Sequence, residues 1–80
     1  MNLNNLFSVY PNPTSETLFI QSELNHGNYK VTNLLGEIIM SGNILNNLQA
    51  LDVSGLAQGT YNVTLINDLK STTKHFVKMK

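Results

Sequence analysis

The sequence predicts an all-β domain, an antiparallel immunoglobulin-like β-sandwich of about seven short strands. Three observations carry that prediction. Apolar and polar residues alternate with a period of two through most of the chain, the spacing of half-buried strands. Asparagine recurs at short intervals from Asn2 to Asn67, and Asn favours turns because it tolerates left-handed backbone and bonds to nearby main chain. No window of helical length carries an apolar stripe at i, i+3, i+4 and i+7.

Taken in order, Leu6 to Tyr10 reads as the first strand, and Thr17 to Ser22 as the second, with Leu18 and Ile20 on one face and Phe19 on the other. His26 to Asn28 is a turn. Tyr29 to Asn33 follows as a strand, and Asn33 to Gly36 as a tight hairpin turn in which Gly36 is free to take positive φ. Glu37 to Ser41 returns as its partner. Gly42 and Asn43 break that strand, and Ile44-Leu45 forms a short fragment beyond it. Leu48 to Val53 is a strand with Leu51 and Val53 on one face. Ser54 to Gly59 is a loop with room for one helical turn at Leu56 to Gln58. Thr60 to Ile66 is the cleanest strand, with Tyr61, Val63 and Leu65 inward and Asn62 and Thr64 outward. Asn67 to Lys70 is a hairpin turn, and Ser71 to Met79 closes the domain. Hairpins in series imply antiparallel pairing.

Length and charge narrow the function classes. A chain of 80 residues is one domain at most, and it buries only roughly 60% of its unfolded surface, a poor frame for a deep catalytic cleft. There is no cysteine, hence no disulfide and no thiolate metal site. Five basic residues balance five acidic ones, which gives no reason to expect nucleic acid as a partner. No run approaches the roughly 18 apolar residues of a membrane span. Residues 1–5 are polar and do not read as a signal peptide. They read as the end of a linker or an added start, with 6–80 as the domain proper.

Chemistry-bearing motifs are scarce. His26 sits in a turn and His75 at an inward strand position, too far apart and too poor in neighbouring carboxylates for a metal site. Ser8, Ser41 and Ser54 lack the Gly-x-Ser-x-Gly context of a nucleophile elbow. No Asp or Glu pair has an acid/base spacing. The Asn62-Val63-Thr64 sequon falls in mid-strand. No catalytic residue, cofactor or metal is expected, and the domain does not read as an enzyme.

Both prolines of the chain lie in one tripeptide, Pro11-Asn12-Pro13, between the first two strands. Proline gives no main-chain N–H and holds the preceding residue extended. The tripeptide therefore reads as a rigid corner, with Asn12 capping a turn. Gly59 and Tyr61 form a second motif in Leu56-x-x-Gly59-x-Tyr61: a Tyr near a strand start reaches back to the loop before it. In the last strand Lys70, Lys74, Lys78 and Lys80 share a face with Thr72 and Phe76, while His75, Val77 and Met79 share the face expected to meet the core. Lysines on an edge protect it from aggregation; they also form a basic stripe, and an edge accepts a partner strand.

The order "VYPNPTSETLFI", "YKVTNLLGEIIMSG", "LDVSGLAQGTYNVTLIN" and "KHFVKMK" resembles the C-terminal sorting domain, type A, of the type IX secretion system of Bacteroidetes-type bacteria. The resemblance covers Val9 to Lys80, and the Asn-rich stretch Gly42 to Asn47 is its one departure. It implies a secretion signal carried by a parent protein with an N-terminal cargo. The domain would be recognised in the periplasm and taken through the outer-membrane translocon, and a sortase-like protease would cut it off. The cargo would then be at the cell surface or outside the cell. The residues it points to for recognition are Pro11, Asn12, Pro13, Gly59, Tyr61, Lys74, Phe76, Val77 and Lys78. The competing readings are a carbohydrate- or surface-binding module and a structural spacer. The former is weakened because there is no Trp and Tyr10, Tyr29 and Tyr61 read as core or corner residues. A domain separated from its neighbour also exposes edges, so self-association of the isolated module is expected.

Overall fold

A computed structural model describes residues 7–23, 26–68 and 70–80. It has seven strands: β1 (Phe7–Tyr10), β2 (Thr17–Ser22), β3 (Asn28–Thr32), β4 (Ile38–Asn43), β5 (Leu48–Asp52), β6 (Gly59–Asn67) and β7 (Lys70–Lys78). They form a three-stranded sheet, β1-β2-β5, and a four-stranded sheet, β4-β3-β6-β7. Every strand pair is antiparallel. The β2–β5 and β3–β6 pairings join strands that do not follow one another, which makes this a Greek-key, immunoglobulin-like sandwich as the sequence predicts.

Alternation decides the core. Leu18 and Ile20 of β2, Tyr29 and Val31 of β3, Leu51 of β5, Tyr61, Val63 and Leu65 of β6 and Phe76 of β7 are buried. They meet between the sheets with Phe7 at the start of β1, Val53 after β5 and Ile44 from a loop. Each fully buried side chain of this size contributes about 1.5–3 kcal/mol, which the backbone entropy cost largely offsets.

Two glycines make this packing possible. The ring of Tyr29 lies over Gly42, where a Cβ would sit 2.8 Å from the Tyr29 hydroxyl. Gly27 has φ +131°, and a Cβ there would stand 2.5 Å from the Ile66 carbonyl oxygen.

Four expectations are corrected. Gly42 and Asn43 do not break β4. They pair with Tyr29 and Asn28, because the ring of Tyr29 needs a residue without a side chain opposite it. Ile44-Leu45 is no strand: Ile44 enters the core from a loop held by its amide on the Gly27 carbonyl, 2.8 Å. Residues 56–58 form no helical turn; the loop is closed by the Leu56 amide on the Val53 carbonyl, 3.0 Å.

The fourth correction concerns β7, whose faces are reversed. Directly opposed residues of an antiparallel pair point to the same side, and Tyr61 faces Phe76 while Val63 faces Lys74. The inward side chains of β6 therefore turn the even-numbered residues of β7 inward. Phe76 is fully buried, whereas His75, Val77 and Met79 are exposed. Lysines are tolerated on the inner side because β7 is an edge strand, where the long stem covers the core and the ammonium of the buried Lys78 is satisfied by the Met79 carbonyl. Leu6, Leu24, Asn25 and Leu69, at the ends of expected strands and turns, lie outside the described residues, as do residues 1–5.

Candidate functional site

The Pro-Asn-Pro corner crosses from one sheet to the other. Tyr10 still belongs to β1, pairing with Phe19 and stacking on its ring at 5.7 Å. Four residues later Thr14 lies along β7 as a parallel bridge to Lys78. Both X–Pro bonds, Tyr10–Pro11 and Asn12–Pro13, are cis.

Between these points Asn12 works as a substitute peptide group. Its Oδ1 accepts from the Val77 amide at 2.9 Å, and its Nδ2 donates to the His75 carbonyl at a long 3.4 Å. Thr14 continues the pattern with its main chain, donating to the Val77 carbonyl at 2.9 Å and accepting from the Met79 amide at 2.7 Å. The outer edge of β7 from His75 to Met79 is thereby occupied. Thr14 itself is buried and anchored by Oγ1 on the Thr17 carbonyl, 2.6 Å.

This answers why two prolines flank one asparagine. A proline has no N–H that would need a partner at the edge, and its fixed φ aims the Asn12 side chain at β7. The cap is long-range, not the local turn cap that the sequence predicts. A β-strand cannot add to this part of β7, because the edge is already taken. Sequence reasoning missed Thr14. The available signal was a β-branched residue with a hydroxyl directly after the second proline.

Beside the corner, β6 begins. Gly59 has φ +153°, a backbone that other residues rarely adopt, and lies opposite Lys78. The Tyr61 hydroxyl donates to the Ala57 carbonyl at 2.7 Å, pinning the β5–β6 crossover as expected, and its ring stacks on Phe76 at 5.5 Å. The crossover is tied at its other end by Asp52, whose Oδ1 accepts from the Ser54 hydroxyl at 2.6 Å and the Ser54 amide at 3.0 Å. These bonds, the hydroxyl's first, hold the Asp52 carboxyl below the usual carboxylate range, against a small opposing effect of burial.

Of the nine residues singled out in the sequence, eight thus meet at one end of the sandwich. Pro11, Asn12, Pro13 and Gly59 are exposed, as is Val77, at 41%. Tyr61 and Phe76 are core. Lys78 is only 5% exposed, and its Nζ donates to the Met79 carbonyl at 2.6 Å. Lys74 is set further back, its ammonium 5.6 Å from the centre of the Phe7 ring, within cation–π range. The lysines of β7 are therefore not a free basic stripe. His75, expected inward, is outward, with Nδ1 against Asn62 Oδ1. Among the described residues no three His, Asp or Glu side chains gather as metal ligands would, and no helix is long and apolar enough to cross a membrane.

A family model described as a secretion system C-terminal sorting domain matches residues 8–79, nearly the whole chain. The chain belongs to that family. Membership makes this sorting domain a C-terminal signal for type IX secretion, attached to a parent protein and engaged by the secretion machinery on the way across the outer membrane. The matched span includes the corner, the crossover and β7, so the clamp joins motifs that lie at the two ends of the sorting domain. No curated protein matches the chain.

Proposed function

We propose that the type IX machinery reads the folded end of the sandwich, the Pro-Asn-Pro corner clamped on β7, and not an extended C-terminal peptide. The observation that carries this reading is the bonding of Asn12 and Thr14 to Val77 and Met79, which makes one surface of two distant motifs. Pro11, Asn12, Pro13, Gly59 and Val77 are the contact residues, and Lys74 adds a partly exposed cation. Tyr61, Phe76 and Lys78 act through the fold, by holding β6 and β7 in place. The partners are the outer-membrane translocon and the sortase components. Recognition takes place in the periplasm, and the folded domain passes through the translocon with its cargo. A sortase-like protease then cuts upstream of β1, and the cargo is released or joined to an anionic lipopolysaccharide. In this scheme the domain is a substrate and performs no chemistry.

The test is a secretion assay with the domain fused behind a signal-peptide-bearing fluorescent reporter in a bacterium with the type IX system. Deleting His75 to Lys80 would remove the buried Phe76 and so confuse folding with recognition. Val77→Asp is the better variant, because its main-chain bonds to the corner do not depend on the side chain. The reading expects the parent fusion outside the cell and the folded Val77→Asp fusion retained in the periplasm. Equal export of both would leave the clamp as a structural device only. Retention of both, in a strain that exports its own cargo, would count against sorting by this domain.

A further inference from the structure

Two segments far apart in the chain run side by side in the same direction. Thr14 meets Lys78 as a parallel bridge, whereas every strand pair of the two sheets is antiparallel. At the start of β1 the Phe7 ring lies beside the Lys74 ammonium, 5.6 Å from ring centre to nitrogen. Residues 7–14 therefore advance along β7 from Lys74 towards Met79. Phe7 stands at one end of this track, and the close of β7 at the other.

Parallel alignment decides how tension is shared. A pull on the chain ahead of Phe7, and an opposite pull at the close of β7, act along the two segments in opposite senses. Bonds between the segments lie across that line, so they are strained together. A hairpin opened at its free end breaks its bonds one after another, each at little force. Three short bonds cross the track: the Val77 amide to Asn12 Oδ1 at 2.9 Å, the Thr14 amide to the Val77 carbonyl at 2.9 Å, and the Met79 amide to the Thr14 carbonyl at 2.7 Å. Thr14 is buried, which keeps water from competing for its bonds. On its other side β7 is held by β6 along its whole length, from Lys78 opposite Gly59 to Lys70 opposite Asn67. By contrast β1 is paired with β2 only from Phe7 to Tyr10. Past that short pairing, the clamp stands between a pull on β1 and the start of β2 at Thr17.

We infer that the clamp is a shear latch, which keeps the domain folded while tension runs between its cargo side, ahead of β1, and the close of β7. The latch is a property of the fold. The source of the tension rests on the sorting reading: machinery that grips the corner end of the sandwich pulls against a cargo attached ahead of β1. The geometry suits that load, because the grip and the cargo lie at opposite ends of the track. A domain tied only by β1 and β2 would lose its first strand to the same pull.

Force-clamp unfolding of the 80-residue chain, held through handles fused at its two termini, tests the latch. Forced unfolding reads the unfolding rate, and bonds broken at the barrier set that rate. Asn12→Ala is expected to unfold about tenfold faster than the parent at the same tension, because its bonds to β7 are among those that must break. Tyr61→Phe is the control. It loses the hydroxyl bond to Ala57, which lies off the track, so its urea midpoint falls while its rate under tension stays close to the parent's. Unfolding of Asn12→Ala at the parent's rate overturns the inference. Acceleration of both variants in step with their losses in urea overturns it too, since the clamp would then add stability without directional strength. The secretion assay fails separately: a parent fusion retained in a competent strain overturns the sorting reading and leaves the latch standing.

Discussion

Asn12 shows how much one side chain carries when it stands in for a peptide group. Asn12→Ala removes its bonds to Val77 and His75 and is expected to cost about 1–2 kcal/mol, read as a lower midpoint in a urea melt. Tyr61→Phe deletes a single hydroxyl bond to Ala57 and should cost about 0.5–1.5 kcal/mol, with stacking on Phe76 retained. Asp52 adds a dependence on acidity. Its carboxyl is lowered in the folded state by Ser54, so the stability it brings is present above the unfolded value of about 3.9 and is lost as pH falls through the folded value. Asp52→Asn should therefore melt below the parent at neutral pH, and the two should converge in acid once the pH has fallen below the folded value. If the gap stayed constant with pH, the ionised carboxylate would not be its source. Tyr61 was legible in the sequence because a tyrosine just inside a strand has a local partner. Asn12 was legible only as a turn former, because its true partner is 65 residues away.

At the scale of elements, β7 separates what alternation reveals from what it leaves open. Period two sorts side chains into two sets, but it does not say which set faces inward. Charge suggested that the lysines point out; the fully buried Phe76 opposite Tyr61 decides otherwise. β6 raised no such conflict, since all its apolar residues from Tyr61 to Leu65 share one parity. From sequence alone β4 ends at Ser41, because Gly42 resembles a breaker, while its role as the seat for Tyr29 depends on a neighbour in space. Two measurements belong here. Phe76→Ala should cost about 3–5 kcal/mol, a large share of the roughly 5–10 kcal/mol available to a domain of this size, read as a much lower midpoint in a urea melt. Amide exchange should find Val77 and Met79 protected although β7 is an edge strand, and Asn12→Ala should remove the protection of Val77 first.

For the molecule as a whole, fold class and family were open to reading from one sequence because both rest on ordered short motifs. The candidate surface was legible as a set of residues, eight of which the fold gathers. Their division into exposed and buried side chains was not, since it depends on which face of β7 is buried. A consequence of the clamp concerns synthesis. The corner at residues 11–14 is made some sixty residues before its partners His75, Val77 and Met79. A product that stops even a few codons before Met79 lacks the main-chain groups that close the corner. The surface at this end of the sandwich is thus a receipt for translation through β7: it forms only on chains whose synthesis has passed Met79.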